Sequence, residues 1–234
     1  MKFIFPTFAV GGRIRDEIMG VKPNGDNDFV TLSPSFSAMR EMLVNLGAEI
    51  FTENPEFQTV RCRFPGIGAA DFTVARRDGI SSDGRRPNET SVVSSLTEDL
   101  ARRDFSIGAI AKNLETGEII DPFNGRADIA AKCIRCVGNP IDRFKEDKLR
   151  IFRALRFAIT KGFNIHQDTA HAMHQFSHED FAGVSTERIT TELEKMFAAN
   201  SMLAARTLFM GYTELGDLVI ERGIWLKPTT QLRK

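Results

Sequence analysis

A change of period divides the chain. Up to about residue 120 the apolar residues come in short runs, at Phe29–Leu32, Ala48–Thr52, Gln58–Phe64 and Ala70–Ala75, rich in Phe, Val, Ile and Thr. Such runs predict strands. A further strand pair is predicted at Ile107–Asn113 and Glu118–Ile120, turning at Glu115–Gly117. Helical spacing interrupts them at Gly12–Met19 and at Pro34–Leu46, the second stopping at Gly47 as helices commonly do. From Asp121 onward the strand signals fade. Helices are predicted at 146–160, 167–176, 186–199 and 201–210. The fold class is therefore α+β: a mixed-sheet domain over 1–138, then an all-helical domain over 139–234.

Composition narrows what such a chain can be. With 234 residues, 42% of them apolar, and 19 Phe, there is enough to bury a core, and wholesale disorder is excluded. No apolar run approaches the roughly 20 residues of a membrane span, so no membrane partner is expected. The opening MKFIFPTFAVGG is short, broken by Pro6 and followed at once by Arg13, Arg15 and Asp16. It reads as a buried strand and not as a signal peptide. Three cysteines form no disulfide framework, and Cys133-x-x-Cys136 lacks a second pair to complete a zinc site. Reduced thiols in the cytoplasm are the expectation. Net charge is zero, 31 basic against 31 acidic, but residues 126–156 hold 9 basic and 4 acidic side chains. That band suits a polyanionic ligand, and equally a solvated face.

Gly11 and Gly12 stand immediately before the first predicted helix. A glycine pair there lets the backbone approach a phosphate, and Arg15, one turn in, can add a charge-assisted bond. The plain alternative is a tight turn that needs glycine torsions. Asp26 and Asp28 lead into the strand Phe29–Leu32, and alternate residues of a strand face one side. Two acids that close repel unless a cation lies between them. Mg²⁺ takes one or two carboxylates and completes its shell with substrate phosphates. Asp71, opening another strand, is a candidate third carboxylate. The alternative for the pair is a solvated turn. Further on, Glu146–Phe157 reads as a helix with Ile151, Phe152, Leu155, Ala158 and Ile159 on one face. Asp147, Arg150, Arg153 and Arg156 then form a ridge opposite. His171, His174 and His178 share a helical face, a spacing a metal site could use, but no carboxylate or Cys with a supporting second shell is identifiable, and they read as exposed helix.

In order along the chain, VGGRIRD with DND, ARRDFSIGA at 101–109, DPFNGRADI at 121–129 and EDKLRIFRALRF at 146–157 resemble the class II tRNA nucleotidyltransferases. This family comprises CCA-adding enzymes and bacterial poly(A) polymerases, and the resemblance covers roughly residues 8 to 200. It implies a polymerase-beta-type nucleotidyltransferase head and a helical neck, whose helix starts near Ser185 or Thr186. It implies Mg²⁺-dependent transfer of CMP and AMP from CTP and ATP to the 3′ end of tRNA or another RNA. Asp26 and Asp28 would hold the metal, with Asp71 as a third acid. Gly11, Gly12, Arg15 and Arg103 would hold the triphosphate, and Asp104 the ribose. Asp147 and Arg150 would read the base. Cytosine and adenine both present an amino donor beside a ring-nitrogen acceptor, which a carboxylate and a guanidinium complement; uracil and guanine do not. Arg153 and Arg156 would favour the triphosphate or a neighbouring helix. Asp83–Pro87 matches a loop that helps switch from C to A addition. Two departures stand out: Gly108 replaces a common Asn, and the chain ends at Lys234, where the family continues into body and tail domains. A compact form is thus expected, its RNA held weakly, or by the basic band and a second subunit in a homodimer, or replaced by a different RNA. The rivals are a poly(A) polymerase using ATP alone and a catalytically idle RNA- or nucleotide-binding module.

Overall fold

The computed structural model describes residues 2–23, 26–78 and 90–225, and in it the first half of the chain forms a seven-stranded sheet. β1 (Thr7–Val10) passes through Gly11 into α1 (Gly12–Ile18). β2 (Asn27–Thr31), α2 (Phe36–Asn45), β3 (Glu49–Asn54), β4 (Thr59–Phe64) and β5 (Gly68–Val74) follow. Then come a small antiparallel pair, β6 (Arg76–Asp78) with β7 (Thr90–Val92), helix α3 (Leu96–Ala101), β8 (Ala111–Asn113), β9 (Ile119–Ile120) and α4 (Gly125–Ala130). The order across the sheet is β3-β4-β5-β2-β1-β8-β9, with β2 and β5 parallel and the other pairs antiparallel.

Period-two alternation sorts the two faces of this sheet. Phe29, Phe72 and Phe64 share one face, with Phe29 and Phe72 stacked at 4.7 Å and Phe64 5.2 Å from Phe72. α2 packs against β4 and buries Met39, Met42 and Leu43. The Ser35 hydroxyl caps this helix by accepting from the Ala38 N–H at 3.2 Å, and Gly47, at φ +84°, ends it. Each such buried side chain contributes roughly 1.5–3 kcal/mol. β1 is buried at all four positions, as expected of the opening segment.

One expectation for this half is corrected. Ile107 lies in a 3-10 turn, Ser106–Gly108, and the strand starts only at Ala111. The turn is pinned to α4: Ser106 Oγ donates to Asp128 at 2.6 Å, and a Cβ on Gly125 would sit 2.2 Å from the Ser106 carbonyl oxygen. Thr90–Val92, where no apolar run signals a strand, pairs with β6, because a backbone ladder needs no apolar side chains. Asp83–Pro87 lies outside the described residues.

The described residues fall into two compact units, divided between Ala131 and Lys132, whereas the sequence puts the join after Gly138. The reason is a short parallel pair, β10 (Cys133–Ile134) with β11 (Asn164–Ile165), which ties the segment after Ala131 to the helices. Those helices are α5 (Pro140–Glu146), α6 (Leu149–Lys161), α7 (Gln167–Met173), α8 (Thr186–Arg206) and α9 (Thr213–Glu221). α8 is interrupted at Asn200 (φ −160°, ψ 92°), whose side chain caps the second part by accepting from the Leu203 N–H, so the two helices read there are present. Phe144, Ile151, Phe152, Leu155, Phe181, Ile189, Leu193 and Met196 form the core of this unit. On α6 the buried face also takes in Ala154 and Phe157. No helix among the described residues is long and apolar enough to cross a membrane.

The helix expected from Glu146 is corrected as well. α5 ends at Glu146 and α6 starts at Leu149, with Asp147 extended between them (φ −149°, ψ 104°). The Asp147 carboxylate accepts from the Leu149 N–H at 3.0 Å, and its carbonyl accepts from the Arg150 N–H at 3.0 Å. A short acid that bonds the backbone two residues ahead competes with helix continuation. Asp147 therefore stands before the ridge of Arg150, Arg153 and Arg156 and is not on it.

Candidate active site

Register carries the first unit's site. Val10 faces Asp28 across β1 and β2, Asp28 faces Asp71 across β2 and β5, and Asp71 faces Arg61 across β5 and β4. Directly opposed residues project to one face, so these side chains form a row on the face opposite the phenylalanines. Asp26 joins the row from just before β2: Arg61 Nη2 lies 3.3 Å from Asp26 Oδ1, and Arg61 Nη1 lies 3.4 Å from Asp71 Oδ2. The three acids anticipated from the sequence are thus brought together.

The row ends at the glycine turn. Gly11 has φ +75° and ψ −142°, a conformation open to glycine. A Cβ there would sit 3.3 Å from Asp28 Oδ2 and 3.7 Å from Arg103 Nη1. Gly11 therefore serves both as a torsion and as a clearance, letting a carboxylate and a guanidinium reach the start of α1.

Crowding shows in the electrostatics. Burial, followed by the negative charge of Asp71, raises Asp28 to about 6, against the opposing pull of Arg103. Asp71 is raised as well, first by burial, with Arg61 opposing and Asp26 reinforcing. Burial also pushes the neighbouring Cys62 thiol up to about 11. The acids thus sit where ionisation is costly and a cation is favoured. An all-oxygen, all-carboxylate donor set suits a hard divalent ion such as Mg²⁺.

Arg103 stands beside this centre on the end of α3. Its Nη1 donates to the Gly108 carbonyl at 3.3 Å, and its Nη2 lies 3.4 Å from Asp99 Oδ2. Burial lowers its pKa and Asp99 counters that. Asp99 was not singled out from the sequence. It is fully buried, pairs with Arg102 at 2.9 Å and accepts from the Arg76 N–H at 3.3 Å. Its spacing of three and four residues from the two arginines was the available signal. Asp104 Oδ1 accepts from the Phe105 N–H at 2.9 Å. A Cβ at Gly108 would lie 3.6 Å from Asp104 Oδ1, an ordinary contact that a larger residue fits. Arg15 is a buried residue of α1. Its guanidinium pairs with buried Asp16 at 2.9 Å and lies against Gly12.

The second unit places its candidates differently. Asp147 Oδ2 accepts from Arg188 Nη2 of α8 at 2.7 Å. Arg150 bonds Glu146 at 2.8 Å and the Arg143 carbonyl at 3.2 Å. Arg156 donates to Glu192 of α8, Arg153 lies 3.8 Å from the same carboxylate, and Arg156 stacks over Phe157 at 3.9 Å. Of the two roles foreseen for Arg153 and Arg156, these contacts match the neighbouring helix. Glu192 and Arg188 were not anticipated, since both lie over 30 residues further along the chain. Of the histidines, His174 stacks on Tyr212 at 4.6 Å, and His178 pairs with Glu214 at 3.0 Å.

Comparison with known proteins gives consistent findings. The family described as the poly A polymerase head domain matches residues 7–135, and the probable RNA and SrmB-binding site of polymerase A matches residues 162–208. The CCA-adding enzyme of Geobacillus thermodenitrificans is 37% identical over 98% of this chain and 55% of its own length. The CCA-adding enzyme of Leuconostoc citreum is 39% identical over 98% of this chain and 55% of its own length. Among solved structures, the Bacillus stearothermophilus CCA-adding enzyme in complex with CTP aligns with a TM-score of 0.73. It is 35% identical and covers 86% of this chain and 46% of its own. The Thermotoga maritima CCA-adding enzyme complexed with tRNA aligns with a TM-score of 0.75 at 26% identity, covering 93% of this chain and 49% of its own. The chain spans about half the length of these relatives.

Proposed function

The chain belongs to the poly(A) polymerase head-domain family, and from that premise we propose that it is a tRNA nucleotidyltransferase. It would add CMP and AMP from CTP and ATP to an RNA 3′ end and release pyrophosphate. One observation carries this most strongly: Asp28 and Asp71 stand opposite each other, Asp26 joins them through Arg61, and the Gly11 turn lies within reach of Asp28.

Asp26 and Asp28 would hold Mg²⁺, with Asp71 as the third acid. When bound, the ion supplies charge neutralisation on the reacting phosphate and its leaving group. The chain's own groups do the positioning that such transfer chiefly requires. The free N–H groups that follow Gly11 and Gly12 donate to phosphate oxygens, and Arg103 adds a charge-assisted donor beside them. Arg15, its guanidinium paired with Asp16 beside Gly12, is assigned to the triphosphate as well. Asp104 is assigned to the ribose. Asp147 and Arg150 are assigned to the base edge, where the carboxylate accepts from the amino group of C or A and the guanidinium donates to the ring nitrogen. Mispaired polar groups make rejection of U and G strong. The division of labour is a catalytic head to about Ala131 and a base-reading helical unit after it.

The test is incorporation of each of the four labelled triphosphates into tRNA ending before, within and after CCA. CTP and ATP are expected to be used in the order the missing end demands, and UTP and GTP to be refused. Use of ATP alone on every RNA would assign a poly(A) polymerase. Mg²⁺-dependent nucleotide binding without turnover would assign an idle binding module.

A further inference from the structure

Arg61 belongs to none of the motifs, yet it stands inside the acidic centre. It lies on β4 opposite Asp71, on the same face as the carboxylates. Its two terminal nitrogens part company, Nη2 to Asp26 at 3.3 Å and Nη1 to Asp71 at 3.4 Å. Charge-assisted bonds of this type are ordinarily about 2.7–2.9 Å. The side chain is 47% exposed, so it reaches the acids from the solvent side on a flexible stem. A structural arginine looks different in this same unit: Asp99 is fully buried and holds Arg102 at 2.9 Å. Arg61 is loosely held by two acids that have little reason to be neighbours unless a cation joins them.

We propose that Arg61 is a place-holding counter-cation, which spans Asp26 and Asp71 in the metal-free protein and yields both carboxylates when a divalent ion loads. The inference rests on the metal-binding role proposed for Asp26, Asp28 and Asp71. A guanidinium and a divalent cation compete for the same oxygens, and two cations cannot share them without repulsion. The metal-free acids are thereby kept together, and the affinity for a bare ion is held down. An ion arriving with the triphosphate meets no such handicap, because the phosphates offset the extra charge.

The experiment is Mn²⁺ binding to the full chain without nucleotide, read from the electron paramagnetic resonance signal of free Mn²⁺. The proteins are the wild type, Arg61→Gln, Arg61→Ala and Arg61→Lys, each with and without Asp28→Asn, and all checked for folding by circular dichroism. Removing two exposed ion pairs is expected to tighten Mn²⁺ binding about three- to tenfold in the Gln and Ala variants. Lys restores the charge and stays near the wild type, and Asp28→Asn removes the binding throughout. Unchanged or weaker Mn²⁺ binding in folded Gln and Ala variants, still sensitive to Asp28→Asn, would overturn the role of Arg61 and leave the metal centre standing. Absence of any Asp28-sensitive binding in all the proteins would overturn both.

Discussion

Asp28 concentrates the chemistry of the first unit in one side chain. Without metal it holds its proton to about pH 6, where an unfolded carboxyl releases it near 3.8. The folded state therefore binds more protons between those values. Its stability is full below the lower pKa and falls as pH rises through the upper one. Asp28→Asn removes that penalty. In chelator, urea unfolding is expected to show the variant more stable at pH 8 by about 1–2 kcal/mol after allowance for solvent screening. At pH 3, below both values, the gain should largely vanish. An equal gain at both pH values would mean that the carboxylate is not strained. Much of this residue's setting is legible in the sequence, because alternation in a strand fixes which acids share a face. Arg61 is not legible, because its place opposite Asp71 depends on the register of the β4–β5 hairpin, which no local pattern specifies.

At the scale of elements, α6 and α8 are joined by charge as well as by apolar packing. Glu192 is nearly buried on α8 and faces two arginines of α6. Removing one member of such a group weakens the compensation of a nearly buried charge, at a cost of about 1–3 kcal/mol. Glu192→Ala and Arg156→Ala are each expected to lower unfolding stability by an amount of that order. The double variant should lose clearly less than the sum of the two. Strict additivity in that cycle would show that the contact is incidental. The arginine ridge was visible in the sequence as a three-residue step, but its partner was not, since a period says which residues share a face and nothing of what that face meets. Asp147 shows the complementary limit. Its spacing suits a helix, and its short carboxylate instead caps the next one. The DPFNGRADI segment is similar: Gly125 and Asp128 hold α4 against the Ser106 turn, a long-range approach that no local signal encodes.

For the molecule as a whole, the change of period near residue 120 was enough to separate a sheet-built unit from a helical one. The exact seam was not, because the two residues of β10 that move it are too few to show a pattern. The two units divide the proposed work, the first holding the acids and phosphate turn, the second the base-reading pair. All of it depends on the acids of the first unit. The direct measurement is Mg²⁺-dependent transfer of labelled CMP from CTP to tRNA that lacks its CCA end, comparing the wild type with folded Asp26→Ala and Asp28→Ala. The wild type is expected to extend the RNA, and each variant to lose about a thousandfold or more of the rate, as expected when charge stabilisation at the reacting phosphate is removed. Extension by either variant at the wild-type rate would contradict the account.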